Sequence, residues 1–195
     1  MTAALDATLV STLWPARRTA RLARNAALVV GGALALAVSA KIQVPFYPVP
    51  MTLQTLVVLV LAAACGARVG AAAVALYLIE GLLSAPVFAG AVAGPGYMAG
   101  PTGGYLIGFL AAAALVGALA ERGWDRSWAW LLAAMTIGHA VIFAFGYAWL
   151  AALIGPEKAF ALGVAPFVLA TIVKTLLASA LVGAAWSAVA GLRRA

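Results

Sequence analysis

The stretch that most restricts this chain is residues 86–105. It opens with Pro86-Val87-Phe88-Ala89-Gly90, passes through Gly94, Pro95 and Gly96, and closes on Gly100-Pro101-Thr102-Gly103-Gly104-Tyr105. It carries no charge and lies inside a longer uncharged run, residues 81–120, yet its glycines and prolines oppose a helix. Non-helical backbone beside lipid leaves N–H and C=O groups unsatisfied, so such a segment must be buried in protein, lie outside a bilayer, or line a cavity. It is read here as a lid and wall over a binding pocket.

That argument presupposes a membrane, and composition supplies one: 66% of the residues are hydrophobic and only 9% charged, far outside the soluble range. The apolar runs are long and do not alternate with polar residues, which predicts helices and opposes a transmembrane barrel. The expected fold is all-α, a polytopic bundle of six spans near residues 24–40, 51–64, 67–83, 103–120, 127–154 and 163–192. The chain reads as one membrane domain, residues 1–195, with tails at 1–23 and 193–195 around a 24–192 bundle. Because Lys and Arg collect in cytoplasmic loops, both termini are expected on the cytoplasmic side of the cell membrane, together with Arg17, Arg18, Arg21, Arg24, Arg68, Arg122, Arg126, Arg193 and Arg194. Lys41 and Lys158 then fall outside. The net charge of +7 follows from this topology and from contact with anionic lipid of the bilayer, so no nucleic acid is needed as a partner.

An Arg-rich start, an apolar stretch and Val38-Ser39-Ala40 imitate a secretory signal. Removing that segment would leave five spans and strand the Pro-rich turn after it, so it is read as the first span. Within it, Ala23, Ala27, Gly31, Ala35 and Ser39 recur every fourth residue, a smooth stripe that admits close approach of another helix, either inside the bundle or on another subunit. Met1 to Ala23 read as a tail with a short amphipathic piece in which Leu13 and Trp14 touch the interface. The lone Cys65, beside Gly66, is a small packing residue.

After Lys41, the prolines Pro45, Pro48 and Pro50 forbid a helix and predict an extended, pre-organised loop. Phe46 and Tyr47 on that loop anchor at the interface or stack on a ligand, and Thr52 and Gln54 add polar groups at the mouth of the next span. Tyr77 and Glu80 approach the same end of span three, where the carboxylate reaches water or faces a pocket. Trp128 and Trp130 at one end of span five, and Tyr147 and Trp149 near the other, form an aromatic belt. His139, near mid-span, has no second His, Asp or Cys at metal-ligand spacing and reads as a hydrogen-bonded packing residue. Span six holds Lys174, which costs about +2.5 to +3.5 kcal/mol inside a membrane and should therefore face the bundle and meet an anion or a polar partner. Thr171 lies on the same face.

Taken together, Ile42-Gln43-Val44-Pro45-Phe46-Tyr47-Pro48-Val49-Pro50-Met51-Thr52-Leu53-Gln54-Thr55, Pro86-Val87-Phe88-Ala89-Gly90, the Gly100 to Gly104 turn with Tyr105-Leu106-Ile107-Gly108-Phe109, and the last span with Lys174 resemble the BioY family. Members are the biotin-binding substrate components of energy-coupling factor (ECF) vitamin transporters. The resemblance implies a six-helix bundle that binds biotin from the outer side and works with a transmembrane coupling protein and a pair of ATP-binding-cassette ATPases. The family commonly carries an Asp three residues before the last-helix Lys, preceded by Pro-Gly, where this chain has Val168-Leu169-Ala170-Thr171. Thr171 exchanges hydrogen bonds but brings no charge, leaving Glu80, Thr102 and Gln54 as candidates to supply what is missing.

On that resemblance, biotin needs an apolar, aromatic-lined slot for its bicycle, hydrogen bonds for its ureido group and a cation for its carboxylate. Phe46, Phe88, Tyr105, Phe143 and Tyr147 are the aromatic candidates, Gly103 and Gly104 permit close backbone approach, and Lys174 is the cation. Ala27, Gly31 and Ala35 are the candidate face for the coupling protein. No phosphate-loop motif is present, so an ATP-driven step belongs to partners. Biotin is cargo, and neither a cofactor, a metal nor a catalytic residue is expected. Three other readings stand beside it: transport of another small carboxylate or vitamin; an intramembrane lipid-modifying enzyme using Glu80, His139 and Lys174; and a solute channel, which would want a polar stripe along several spans.

Overall fold

The computed structural model describes residues 8–17 and 19–192. The expectations for residues 1–7, Arg18 and the tail with Arg193 and Arg194 lie outside the described residues. In chain order the elements are α1 (Leu9–Leu13), α2 (Ala20–Lys41), a hairpin of β1 (Gln43–Val44) and β2 (Met51–Thr52), α3 (Gln54–Cys65), α4 (Ala67–Leu82), α5 (Pro95–Ala99), α6 (Gly103–Glu121), α7 (Trp128–Ile154), α8 (Pro156–Gly163) and α9 (Val168–Leu192). The fold is all-α apart from that hairpin, in which Gln43 pairs with Thr52 and Val44 with Met51 in antiparallel register.

Among the described residues four helical stretches are long and apolar enough to cross a membrane: Ala20–Lys41, Gly103–Glu121, Trp128–Ile154 and Pro156–Gly191. The second and third expected spans are helical but short, α3 with 12 residues and α4 with 16. At 1.5 Å per residue, α3 reaches only about 18 Å. Two helices were not expected. α5 lies inside the Gly/Pro-rich segment, where Pro95 occupies a first-turn position that lacks an intrahelical acceptor anyway. α8 follows Gly155 with Pro156 in the same role, and a 3-10 turn, Ala165–Phe167, separates it from α9.

The bundle packs around α6, which lies against α3, α4 and most extensively α7, while α2 rests on α4 and α9 on α3 and α7. The core interlocks large and small residues, with Leu36, Leu59, Val74, Val116, Met135 and Ile142 fully buried. One end is closed by polar ties. Gly66 turns the α3–α4 corner at φ 84°, and the Glu121 carboxylate at the end of α6 accepts from the Ala67 N–H at 2.9 Å, an anion on a helix N-terminus. The N-terminal piece is tied in too: Leu9 of α1 is buried, and α1 contacts α3 and α9. Arg68, Arg122 and Arg126 cluster at this arginine end. Lys41, Lys158, the hairpin and the Gly/Pro-rich segment occupy the opposite, hairpin end.

The α6–α7 connection is pinned to α9 by the Trp186 indole N–H, which donates to Asp125 at 2.7 Å, while the Arg126 guanidinium sits 4.6 Å above the Trp186 ring. Asp125 is 2% exposed. Burial pushes its carboxyl above the usual carboxylate range, opposed by the Trp186 bond and the Arg126 charge. A group with a raised folded-state pKa stabilises the fold most below its unfolded-state pKa and loses that contribution as pH rises through the folded value. The ionised carboxylate at neutral pH therefore carries a residual desolvation cost. Asp125→Asn, which keeps the acceptor, is expected to melt at or above the unmodified protein near pH 7, with the difference shrinking as pH falls and the native carboxyl protonates. Asp125→Leu should melt lower, since an unpaired buried donor costs about 1–3 kcal/mol. An Asn variant melting well below the unmodified protein near pH 7 would overturn this account of Asp125.

Candidate functional site

At the hairpin end the polar residues of three helices and two loops meet around a partly open cavity of about 50 Å³. Its floor and walls come from Gln54 and Thr55 on α3, Tyr105, Leu106 and Phe109 on α6, Ile142 and Phe143 on α7, Phe167 before α9, and Thr171 and Lys174 on α9. The hairpin contributes Val49, Pro50 and Thr52, the Gly/Pro-rich segment Ala89, Tyr97 and Thr102. Above it opens a vestibule of about 420 Å³. Pro50, Ala89, Tyr97 and Thr102 line both spaces, so these four residues form the partition. Pockets for drug-sized ligands run roughly 300–1,000 Å³. A solute of that size must extend from the inner cavity into the vestibule or push the partition apart.

Lys174 dominates the electrostatics. Its ammonium donates to the Thr52 carbonyl at 2.6 Å, and among the described residues it has no carboxylate partner. Thr171, one turn away on the same face, also lines the cavity. Gln54 is 3% exposed and its amide is oriented from both ends: Nε2 donates to the Tyr77 hydroxyl at 2.6 Å and Oε1 accepts from Thr52 Oγ1 at 3.2 Å. Thr55 Oγ1 is buried with no hydrogen-bond partner among the described residues. The aromatic part of the wall is a linked set: Tyr105 meets Phe143 edge-on at 6.2 Å, Phe143 meets Phe167 at 6.3 Å, and the Tyr105 hydroxyl donates to the Gly163 carbonyl at 2.7 Å. Burial pushes the Tyr97 hydroxyl above its ordinary pKa, with a Thr102 hydrogen bond opposing it, so the phenol stays neutral at physiological pH. The arrangement offers one cation, several neutral donors and acceptors, and aromatic faces.

Of the residues singled out from sequence, Gln54, Thr102, Tyr105, Phe143, Thr171 and Lys174 line the inner cavity. Phe46 lines the vestibule, its ring 6.0 Å from Phe167. Phe88 lies behind the wall, fully buried between Tyr77 at 5.5 Å and Tyr97 at 4.9 Å. Gly104 faces the α6–α7 contact, where a Cβ would collide with Trp149 and with the Phe145 carbonyl, and a Cβ on Gly103 would collide with the Met98 carbonyl of α5, so both missing side chains serve packing. Glu80 and Tyr147 are half-buried and line neither space. His139 is hydrogen-bonded through Nδ1 to Thr175 at 2.9 Å and faces a separate groove between α7 and α9. Glu80, His139 and Lys174 thus do not assemble into an acid–base site. Sequence reasoning missed Thr55, Tyr97 and Phe167. Their only signals were their neighbours: Thr55 follows Gln54, Tyr97 follows Pro95-Gly96 in the Gly/Pro-rich segment, and Phe167 follows Pro166.

A helix bundle with membrane-crossing segments, closed at one end and carrying a covered pocket with a single cation at the other, is a polytopic membrane protein of the kind that captures a small solute. Within that class the comparisons are specific. The family model for the BioY family matches residues 7–191, and the chain belongs to that family. It is 39% identical over 145 residues to the biotin transporter BioY of Thermotoga maritima, covering 74% of this chain and 85% of that protein. It is 39% identical over 156 residues to a probable biotin transporter BioY of Pyrococcus horikoshii, covering 80% and 92%. Among solved structures, the 2.1 Å crystal structure of the S-component for biotin from an ECF-type ABC transporter shares the fold, with a TM-score of 0.76 at 22% identity over 86% of this chain and 93% of that one.

Proposed function

We propose that this chain is the biotin-binding component of an ECF-type transporter in the cell membrane, a carrier subunit and not an enzyme. The observation that carries the proposal is Lys174: an ammonium in an aromatic-lined cavity whose only partner among the described residues is a neutral carbonyl. A ligand carboxylate would exchange that carbonyl for a charged acceptor, roughly twice as strong a hydrogen-bond partner. Thr52, Gln54, Thr55, Thr102 and Thr171 surround it with uncharged donors and acceptors suited to a ureido group, while Tyr105, Phe143 and Phe167 suit the bicycle. Phe46 and Tyr97 border the way in. Phe88 supports this wall from outside the cavity through its stacking on Tyr97, while Gly103, Gly104, Glu80 and Tyr147 lie outside the lining.

The reading is tested by Lys174→Ala. The solubilised protein should retain radiolabelled biotin without turnover, and the variant should bind it more weakly by about 2–5 kcal/mol. Unmodified protein should discriminate against uncharged biotin amide, while Lys174→Ala binds acid and amide equally. No discrimination by the unmodified protein would mean that the carboxylate is held elsewhere. Retention of a different small carboxylate in preference to biotin would favour the alternative substrate class.

Further proposals concern orientation and partners. The arginine end is assigned to the cytoplasm, with both termini there and six spans, because Arg68, Arg122 and Arg126 gather at that end. Single cysteines placed by Val92→Cys and Arg122→Cys in a Cys65→Ala background, both at exposed positions, should react with an impermeant thiol reagent from opposite faces. Reaction of both from the same face would refute the topology.

The partner-facing surface is assigned to Ala27, Gly31 and Ala35. All three are exposed on the outside of the bundle, where α2 buries Gly32, Ala33 and Leu36 instead. A Cβ on Gly31 meets nothing within 4 Å, so the bundle tolerates a larger residue there. Gly31→Leu should leave biotin binding and the melting temperature of the isolated chain unchanged, while abolishing co-purification with a transmembrane coupling protein and its ATPase pair and stopping ATP-driven uptake. A variant that assembles normally would remove the stripe from the interface.

A further inference from the structure

We infer that Lys41 is a positioning residue that latches the cover of the cavity and sets how fast ligand enters and leaves; this rests on the reading of the inner cavity as the biotin site. The turn between α4 and α5 is the part of the cover least able to hold itself. Among the described residues, the backbone from Phe88 to Ala93 makes no backbone–backbone hydrogen bond. Among the described residues, the side-chain bonds it receives come from Lys41: its Nζ donates to the Phe88 carbonyl at 2.7 Å and to the Gly90 carbonyl at 2.9 Å. Between those two acceptors lies Ala89, a partition residue that lines both the cavity and the vestibule.

The far side of the same turn is fixed differently. The Phe88 ring fills the notch that Gly81 leaves by lacking a Cβ, and stacks on Tyr97, another partition residue. The turn is therefore held by an apolar wedge within and a lysine without. The wedge is fully buried, but Lys41 is exposed, so water can replace its two bonds and the turn can open locally without disturbing the core. Lys41 is also the last residue of α2, and β1 begins two residues later at Gln43. One side chain rooted at the base of the hairpin thus grips the opposite half of the cover. The inner cavity is about 50 Å³, well below the roughly 300–1,000 Å³ of ordinary ligand pockets, so parting these halves is the motion that makes room for a solute to seat fully.

Two variants separate latching from folding. Lys41→Met keeps the aliphatic stem and removes the donors, whereas Lys41→Arg keeps donors that reach the same carbonyls. In the solubilised full chain, Lys41→Met should raise the dissociation rate of radiolabelled biotin about tenfold, the loss expected for charge-assisted hydrogen bonds at a partly exposed site. The number of binding sites and the melting temperature should be unchanged, and Lys41→Arg should restore slow release. A second readout is independent of biotin: in a Cys65→Ala, Ala89→Cys background, Lys41→Met should speed modification by a small thiol reagent about tenfold, because position 89 is buried while the cover is latched. Unchanged release and unchanged thiol reactivity in Lys41→Met would overturn the inference. So would a loss of binding sites that Lys41→Arg fails to restore. If the unmodified protein retains no biotin while the thiol reaction is accelerated, the substrate reading fails and the latch stands.

Discussion

In apolar surroundings every peptide N–H and C=O must find a partner, and the architecture of this chain follows from where its backbone supplies partners and where it does not. The long helices satisfy themselves. The two loops at the hairpin end do not, and each is held by a lysine from a helix: Lys174 on the Thr52 carbonyl and Lys41 on the carbonyls of Phe88 and Gly90. One of these cations, Lys174, also lines the cavity that the cover closes. A partly buried intramembrane lysine with a neutral acceptor is a costly arrangement to keep, and the cost becomes intelligible once the site is regarded as awaiting an anion.

The two ends of the bundle divide the labour. At the arginine end, Glu121 caps α4, Asp125 ties the α6–α7 turn to Trp186, and α1 folds against α3 and α9, so the helices are locked in register. At the hairpin end, structure is held by a few side-chain bonds and by aromatic stacking, which is where local opening costs least. α2 joins the two. It presents small exposed residues along one face, buries Gly32, Ala33 and Leu36 on the other, and ends in Lys41 at the cover. A partner that engages the exposed face therefore touches the helix whose last residue holds the lid.

How much of this was legible depended on the kind of signal. An isolated lysine in an apolar run must face the protein interior, so Lys174 was readable with Thr171 beside it, as was a proline loop that could only be extended. Phe88 and Tyr147 have the same chemistry as the aromatic residues that line the cavity, yet they, like Gly103, Gly104 and Glu80, do not line it. A turn of tens of degrees in a helix, or the choice of which aromatic wedges into the Gly81 notch, decides between wall and cavity, and neither leaves a mark on residue type. The helices α5 and α8 were missed because proline opposes a helix interior but suits a first turn.

The sequence by itself determined that the chain is a helical membrane protein, where its long helices run, that residues 86–105 must be sheltered by protein, and that one cation lies deep in the last helix. These follow from local hydropathy, from proline and glycine geometry, and from the cost of a charge in lipid, all of which are properties of residues and their near neighbours. Only the tertiary structure decided that Lys174 meets the carbonyl of Thr52, that Gln54 is oriented by Tyr77, that Lys41 reaches across to the Phe88–Gly90 turn, and that Gly31 faces away from the bundle. Those partners are distant in sequence and several are backbone atoms, which every residue carries alike, so only the packing of the helices brings them together.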